Sequence, residues 1–477
     1  MNRTAGSRSC RILLVSANRC TTPEPVFPLG LAQLSAALRR AGHAVMLVDL
    51  LVEKDGFGSA LQDFQPELVG ISVRNIDDVL IRKRETFVQE LGVLVRMVHE
   101  QSRCPVVLGG SGFSILPQEL LELSGADFGI VGEGETALVG LIEALRGGSD
   151  YRNIPGLVFR DNGVFKKNEP AINYTQLPLQ PEDWPPEVIS HYLRNAGIVN
   201  IQTQRGCAHR CCYCTYPLIE GARHRSRSPE AVVAEFEQLK ALGARYVFMV
   251  DSVFNCSERH VTGICEALIR SDLKIKWGCF LRPQGLTPGL MKLMARAGLA
   301  HIEFGSDSFC DEVLHAYEKD LSFEDIRYSN ELARNDEIDF CHFVIAGGPG
   351  ETLETLQTGF TNSQLLGGAI IMAVPGMRIY PGTRLFNRAI KEGVLPPGSN
   401  LLEPLYYLAP GLTLDQVLEH LKNFTRQSPN WITADFDPAY EQLAVRLRRR
   451  GVTGPLWSYF SVAQRLWGVR RRTEQLS

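Results

Sequence analysis

Three cysteines in a ten-residue stretch carry the most distinctive chemistry of this sequence. Residues 205–214 read RGCAHRCCYC, so that Cys207, Cys211 and Cys214 form a C-x3-C-x2-C pattern directly after a strand-like run. Thiolates are soft ligands that suit iron–sulfur clusters, zinc or copper. A [4Fe–4S] electron carrier normally uses four thiolates. Three thiolates would leave one iron with an open coordination position, and chemistry can occur there.

Zinc is the structural alternative for this motif. A closed tetrahedral zinc site needs a fourth ligand, and His209 or Cys212 could supply it, although both lie inside the same short loop. No second CxxC pair follows, so an iron–sulfur cluster is favoured and Cys212 is expected to pack in the interior. The scattered cysteines are interpreted as buried free thiols of a reducing cytoplasm. They are Cys104, Cys256, Cys265, Cys279, Cys310 and Cys341.

The cysteine motif opens a second αβ array, residues 196–392. Apolar runs of strand length alternate there with helical patterns such as 229–242 and 288–297, which predicts a parallel, barrel-like sheet. The six runs are 198–203, 246–250, 276–280, 301–304, 340–345 and 370–374. Residues 393–477 are predicted to be mainly helical, and their basic clusters at 446–450 and 470–472 are interpreted as solvated helix faces.

A first αβ array precedes it, residues 1–148. Continuous apolar runs alternate with helical segments at 29–41, 86–100 and 135–146, which indicates a doubly wound, Rossmann-like parallel sheet covered on both faces. The runs are 11–16, 44–50, 68–73, 105–108 and 128–131. Residues 149–195, rich in Pro, Asn and Asp, read as a small hairpin followed by a linker.

Ligands of such sheets bind beyond the carboxyl ends of the strands. Small and polar residues stand at those ends, and glycine lets the backbone approach a ligand closely. They are Ser72, Arg74, Asn75, Gly109, Gly110, Ser111, Gly132, Glu133 and Gly134. No GxGxxG fingerprint is present, and the glycines could instead serve only tight turns.

Length and composition set outer limits on the function. A chain of 477 residues predicts two or three domains, and a net charge of −3 argues against wholesale nucleic-acid binding. No apolar run of transmembrane length and no secretory leader is recognised, so a cytoplasmic protein without a membrane span is expected.

Taken together, these motifs resemble the radical S-adenosylmethionine (SAM) superfamily, and the N-terminal array resembles the subfamily with a cobalamin-binding domain. The resemblance spans residues 10–390. It implies a partial (β/α)6 barrel, with a [4Fe–4S] cluster, SAM and cobalamin as cofactors. Cys207, Cys211 and Cys214 match the cluster ligands, and Tyr213 matches the aromatic residue beside the cluster and adenine.

The resemblance also assigns roles to later strand ends. Asp251 and Ser252 match the segment facing the methionine part of SAM, and Arg282 faces the active site, so that Asp251 and Arg282 are the catalytic candidates. Glu303 and Ser308 match the segment near ribose and carboxylate, and Gly347 and Gly348 the segment near adenine. Each residue has a plainer alternative, namely a helix cap for Asp251, a surface ion pair for Arg282, a structural carboxylate for Glu303 and a tight turn for the glycines.

The N-terminal array lacks the D-x-H-x-x-G motif whose histidine binds cobalt, and His43 reads as a turn residue. Because the subfamily often lacks that ligand, the resemblance leaves the lower face of cobalt to another residue or to none. Arg74 and Asn75 are the candidates, while the loops from Gly109 and Gly132 are expected to line the nucleotide tail.

The resemblance implies a methyltransferase acting on an unactivated carbon of a small molecule or natural product. A 5′-deoxyadenosyl radical would remove hydrogen, methylcobalamin would deliver the methyl group, and flavodoxin or ferredoxin would supply electrons. Two alternatives remain open. One is a non-methylating radical rearrangement, ring contraction or cyclisation, and the other is a non-catalytic iron–sulfur or corrinoid carrier.

Overall fold

The computed structural model describes residues 9–21, 24–171, 183, 185–433 and 445–459. Its N-terminal part holds a sheet of seven strands in the order β2-β1-β3-β4-β5-β6-β7, parallel from β2 to β5 and antiparallel at β6 and β7. The strands are β1 Arg11–Ser16, β2 Ala44–Asp49, β3 Leu68–Ser72, β4 Val106–Gly109, β5 Phe128–Ile130, β6 Leu157–Asp161 and β7 Val164–Lys167.

Helices cover both faces of this sheet, because strand side chains alternate between two apolar cores. Ile12 and Leu14 of β1 enter one core, and Leu13 and Val15 enter the other; all four are fully buried. The helices are α1 Leu29–Arg40, α2 Gly56–Phe64, α3 Leu91–Gln101, α4 Ser111–Ile115, α5 Pro117–Ser124 and α6 Gly134–Gly147.

The C-terminal part holds a second seven-stranded sheet, all parallel and open, in the order β18-β15-β14-β13-β12-β11-β8. Two short antiparallel ladders, β9–β10 and β16–β17, accompany it. The strands are β8 Val199–Ile201, β9 Gln204–Arg205, β10 Arg225–Ser226, β11 Tyr246–Met249, β12 Lys276–Leu281, β13 Leu299–Asp307, β14 Asp339–Ala346, β15 Ile370–Pro375, β16 Met377–Arg378, β17 Tyr406–Tyr407 and β18 Trp431–Thr433.

Helices follow most of these strands and pack on the outer face of the second sheet. Several begin with a side-chain cap; Ser322, for example, accepts a hydrogen bond from the Asp325 backbone N–H at the start of α13. The helices are α7 Pro186–Asn195, α8 Tyr216–Ile219, α9 Pro229–Ala241, α10 Glu258–Ser271, α11 Pro288–Arg296, α12 Asp311–Ala316, α13 Phe323–Asn335, α14 Leu353–Ser363, α15 Arg384–Lys391 and α16 Leu414–Gln427.

The α/β fold class is confirmed, with three additions to the sequence-based expectation. The hairpin β6–β7 extends the first sheet, a seventh strand, β18, joins the second sheet from the C-terminal region, and α2, α4 and α5 were not predicted. The solvated-face interpretation is wrong for Arg448, which is 8% exposed and pairs with Glu24 at 2.8 Å. Residues 470–472 lie outside the described residues. In the described ranges no helix combines the length and apolarity that crossing a bilayer requires.

Candidate active site

The cysteine loop starts at Gly206, where the backbone conformation and the lack of space for a Cβ atom require glycine. Gly206 has φ +87°, and a Cβ there would lie 2.0 Å from the carbonyl oxygen of Arg223. Its N–H donates to Glu220 at 3.0 Å, and its carbonyl accepts from the Ser252 hydroxyl at 2.9 Å. The next residue, Cys207, donates its N–H to the Gly221 carbonyl at 3.0 Å. The loop that presents the first thiol is therefore held from three sides.

The three thiols of the motif face one another closely enough to interact. Burial raises the pKa of Cys211, against the opposing effect of the Lys319 charge, and Cys207 adds to the rise; burial raises the pKa of Cys214 to about 12, and the Cys211 and Cys207 thiols add to this rise. Among the described residues no three His, Cys, Asp or Glu side chains converge on a point that one metal ion could occupy. A zinc ion with Zn–S distances of about 2.3 Å requires such convergence. A four-iron cluster is wider, so the three thiols fit it better than they fit zinc.

Cys212 is enclosed by the backbone of neighbouring elements. Its side chain is 3% exposed, its N–H donates to the Tyr317 carbonyl at 3.0 Å, and its own carbonyl accepts from the Leu385 N–H at 2.8 Å. This environment agrees with the packing role expected for Cys212.

Asp251, at the end of β11, is fully buried and points at the chain leading into the cysteine loop. One carboxylate oxygen accepts from the Thr203 N–H at 2.6 Å and the Gln204 N–H at 3.1 Å, and the other accepts from the Thr203 hydroxyl. Burial raises the pKa of Asp251 to about 7. These contacts are those of a positioning residue. They differ from the helix-cap alternative, and the expectation that Asp251 faces SAM stays a prediction.

Arg282, just after β12, is hydrogen-bonded to backbone carbonyls and acts on His209 of the cysteine loop through its charge. Its guanidinium donates to the carbonyls of Lys319 and Asp320 and, at 3.0 Å, to Gln284. Burial, with a smaller contribution from the Arg282 charge, lowers the pKa of His209 to about 4. The arginine is 7% exposed, so the surface ion pair considered from the sequence does not form.

Two charged residues that the sequence analysis did not select, Asp307 and Lys319, form a charged rim together with Tyr213 of the cysteine loop. Lys319 donates to the Asp307 carboxylate and to the Gly305 carbonyl, both at 2.6 Å, and both side chains are 6% exposed. Asp307 also accepts from the Tyr213 hydroxyl. Asp307 has φ +64° at a register shift between β13 and β14, an unusual conformation for a non-glycine residue. The twelve-residue spacing of Asp307 and Lys319 gave no sequence pattern by which to find them.

The remaining residues expected near SAM form hydrogen bonds with neighbouring residues of the protein. Ser308 accepts from the Cys310 N–H at 3.2 Å. Gly347 and Gly348 donate their N–H groups to the Glu351 carboxylate, the second at 3.2 Å. A Cβ on Gly348 would lie 2.2 Å from the Tyr317 hydroxyl, so glycine is required there. Glu303 accepts at 3.0 Å from the indole N–H of Trp457, a contact that joins β13 to the C-terminal segment.

A cavity of about 540 Å³ lies between the two halves of the chain. The carboxyl ends of β1, β3, β4 and β5 form one wall, and β8, β9 and the start of α8, which follows the cysteine loop, form the other. The predicted wall residues all line it: Ser72, Arg74, Asn75, Gly109, Gly110, Ser111, Gly132, Glu133 and Gly134. The wall residues that sequence analysis missed include Asn200, Gln202, Thr215, Tyr216, Glu220 and Tyr380.

The shape of this cavity suits a corrinoid with a nucleotide tail. It extends from the strand ends to Leu34 and Leu138, on α1 and α6, so that a tail can enter beside the sheet. Gly110 has φ +97°, and a Cβ there would lie 2.7 Å from the Val73 carbonyl. His43 is not among the lining residues; its Nδ1 faces the Cys10 N–H at 3.4 Å, which agrees with a structural role. At the strand ends, Arg74 donates to the Asn75 side chain at 2.7 Å.

Salt bridges cross from the Gly132 loop to the second half. Arg205, on β9, pairs with Glu135 at 2.7 Å and with Glu133 at 3.9 Å, and Arg225, on β10, pairs with Glu133 at 2.6 Å. All four side chains are at most 18% exposed. The two carboxylates of the predicted tail loop therefore connect it to the strand that precedes Cys207.

Two family models match the chain. The B12 binding domain matches residues 16–142, and the Radical SAM superfamily matches residues 201–358. The first match covers the cavity wall of the first sheet, and the second covers the cysteine loop and most strands of the second sheet.

Similar proteins with curated names include methyltransferases and a cyclase. Tryptophan 2-C-methyltransferase of Streptomyces laurentii is 25% identical over 78% of this chain and 73% of its own length. Anaerobic magnesium-protoporphyrin IX monomethyl ester cyclase of Cereibacter sphaeroides is 26% identical over 69% of this chain and 55% of its own.

Among solved structures, the radical S-adenosylmethionine methyltransferase TsrM of Kitasatospora setae, with cobalamin and a [4Fe–4S] cluster bound, shares the fold at a TM-score of 0.83. It is 24% identical, and the likeness covers 98% of this chain and all of that one.

Proposed function

We propose that this chain, which carries a B12 binding domain and a Radical SAM domain, is a cobalamin-dependent methyltransferase that methylates an unactivated carbon of a small-molecule or natural-product substrate. The observation that carries the proposal is the cavity between the two halves. Its wall passes from the strand ends of the B12-binding domain to Thr215 and Tyr216, which directly follow Cys214. A corrinoid and a cluster-bound SAM would thus share one space.

The cofactors supply the chemistry, and the chain supplies position and exclusion of water. When bound, the cluster and SAM provide the 5′-deoxyadenosyl radical, and methylcobalamin provides the methyl group. Cys207, Cys211 and Cys214 would hold the cluster. Asp307, Lys319 and Tyr213 form a buried charged rim beside it, to which the amino and carboxylate groups of SAM are complementary.

On the corrinoid side, the Gly109 and Gly132 loops would receive the nucleotide tail. Arg74 and Asn75 are proposed to face the lower side of cobalt, since both line the cavity just beyond β3. Their mutual hydrogen bond of 2.7 Å would fix the guanidinium in that position. The named relative acts on tryptophan, so tryptophan and other indoles head the panel of candidate substrates.

The experiment is anaerobic reconstitution with iron, sulfide, hydroxocobalamin and SAM, reduction with dithionite, and product analysis over the panel. Equal amounts of methylated product, 5′-deoxyadenosine and S-adenosylhomocysteine are expected, since one SAM abstracts hydrogen and another supplies the methyl group. Flavodoxin or ferredoxin should replace dithionite as the electron donor.

Each other outcome contradicts part of the proposal. Methylated product with S-adenosylhomocysteine but no 5′-deoxyadenosine would mean methyl transfer without a radical. A product of unchanged methyl count, with 5′-deoxyadenosine, would mean rearrangement or cyclisation. Neither nucleoside product, with any substrate of the panel, would mean a carrier.

A further inference from the structure

The inner face of the second sheet encloses a lumen that solvent reaches. Side chains alternate along each strand, and the inner members Val250, Phe280, Glu303 and Phe343 are partly exposed. Their outward neighbours are buried beneath the helices, for example Met249, Cys279, Phe304 and Val344. The accessible space is therefore inside the curve of the sheet, and its walls are mostly apolar and aromatic.

The C-terminal segment closes this lumen at the end where the strands begin. The Trp457 ring packs edge-on against His301, with centroids 5.7 Å apart, and His301 packs against Tyr246 at 5.3 Å. Arg448 and the Leu456 N–H both bind Glu24, at 2.8 Å and 3.3 Å, and hold the segment in place. Trp457 is thus the floor of the lumen.

Glu303 is a carboxylate on this floor without an ion-pair partner among the described residues. Trp457 donates its indole N–H to one oxygen, Oε1, at 3.0 Å, and no residue of the described ranges is hydrogen-bonded to the other, Oε2. Burial raises the pKa of Glu303 to about 7. Because Glu303 is partly exposed, this free oxygen can accept a hydrogen bond from a molecule that enters the lumen.

The geometry points to Glu303 as the group that anchors the substrate, through an N–H or O–H donor carried on an apolar, aromatic-sized body. This inference rests on the proposed function for the identity of the site as a substrate site. Glu303 and Asp307 lie four residues apart on β13, which is at most about 13 Å of strand, with the register shift between them. A one- or two-ring molecule held at Glu303 would fill the lumen up to the charged rim.

The walls and the floor together define the selectivity. Phe280 and Phe343 offer aromatic contact, and an ionised carboxylate is only an acceptor. The floor should therefore accept a neutral ring N–H or an ammonium and reject a molecule of equal shape without a donor. Trp457 itself shows that an indole N–H reaches Glu303 with good geometry.

The test is anaerobic calorimetry of the holoenzyme with SAM, using indole, benzothiophene, which lacks the N–H, and benzylamine. For a neutral donor, indole should bind at least about tenfold tighter than benzothiophene, and in Glu303→Met the two should become equal. For an ammonium donor, benzylamine binding should depend on Glu303 instead and strengthen as the pH rises through about 7. The titratable groups near Glu303 in the described part of the chain include Glu24, Tyr246, Cys279, His301 and Cys341.

Trp457→Phe is the matched control, because it removes the same internal hydrogen bond and leaves the carboxylate. It should keep the donor selectivity that Glu303→Met loses. Equal effects of the two substitutions would make Glu303 only a support for Trp457 and overturn the inference. The inference would also be overturned if the wild-type enzyme bound indole and benzothiophene equally and did not bind benzylamine. This result requires no variant.

Failure of the proposed function is detected separately, by S-adenosylhomocysteine formation. Donor-selective binding without methylation would refute the proposed function but not the role of Glu303 in binding the ligand. Methylation with a Glu303-independent selectivity would refute the anchor alone.

Discussion

Substitution of Asp251 distinguishes a residue that positions the cysteine loop from one that contacts SAM. In Asp251→Ala, the N–H groups of Thr203 and Gln204 lose their acceptor, whereas the Thr203 hydroxyl keeps His260 within 2.9 Å. A buried donor left unsatisfied costs about 1–3 kcal/mol. Two of them predict a loss of about 2–6 kcal/mol, which corresponds to a melting temperature lower by at least about 4 °C for a domain of this size.

Asp251→Asn is the matched variant, because a single oxygen of Asp251 accepts both backbone N–H groups. The asparagine oxygen can keep both bonds, and its amide can donate to the Thr203 hydroxyl. The substitution also removes the cost of burying a charge, which is what raises the pKa of Asp251 to about 7. Melting temperature and iron content after reconstitution should therefore stay near wild type in Asp251→Asn and fall in Asp251→Ala.

The assay follows the melting temperature by circular dichroism, iron content, and SAM cleavage in the same preparations. If Asp251→Asn keeps its stability and its cluster but loses SAM binding, the carboxylate must contact SAM, and the positioning argument is refuted. Equal stability of Asp251→Ala and wild type would refute the hydrogen-bond argument as well.

Further expected outcomes concern the cluster, the corrinoid and pH. Alanine at Cys207, Cys211 or Cys214 should abolish the cluster absorbance and SAM cleavage, whereas Cys212→Ala should keep both; the reverse pattern would reassign the ligands. Bound hydroxocobalamin should show no histidine nitrogen on cobalt by paramagnetic resonance after reduction, and such a signal would contradict the cavity assignment. Burial raises the pKa of Glu351 to about 7, so the protonated form is favoured in the fold and stability should fall as pH rises through 7. Melting temperatures at pH 5.5 and 8 should differ less in Glu351→Gln, and an unchanged difference would exclude this group.

The sequence predicted what depends on short-range pattern. Apolar runs gave the five parallel strands of the first sheet and six of the seven strands of the second, because a strand buried on both faces must be continuously apolar. The strand ends in turn predicted the lining of the cavity, since parallel strands bring their carboxyl ends to one edge. The seventh strand, Trp431–Thr433, was missed because three residues carry no readable period.

The roles of single polar side chains could not be read in the same way. Asp251 was expected at SAM from the resemblance of its segment to the radical SAM superfamily, and the structure adds contacts of its carboxylate with Thr203, 48 residues earlier. Glu303 meets Trp457 across 154 residues. Lys319 comes to Asp307 only through the return of the chain after α12. Such pairings depend on tertiary packing, and no local spacing encodes them.

The bridges from Glu133 and Glu135 to Arg205 and Arg225 have a thermodynamic consequence for assembly. The cavity exists only while the two halves are docked, because each half contributes one wall. A corrinoid that touches both walls binds the docked arrangement alone, so it adds its binding free energy to that of the charged contacts. Docking and corrinoid affinity must then change together. A substitution that weakens these ion pairs lowers the apparent affinity for cobalamin by the factor by which it reduces the docked fraction, although none of the four side chains need touch the ring.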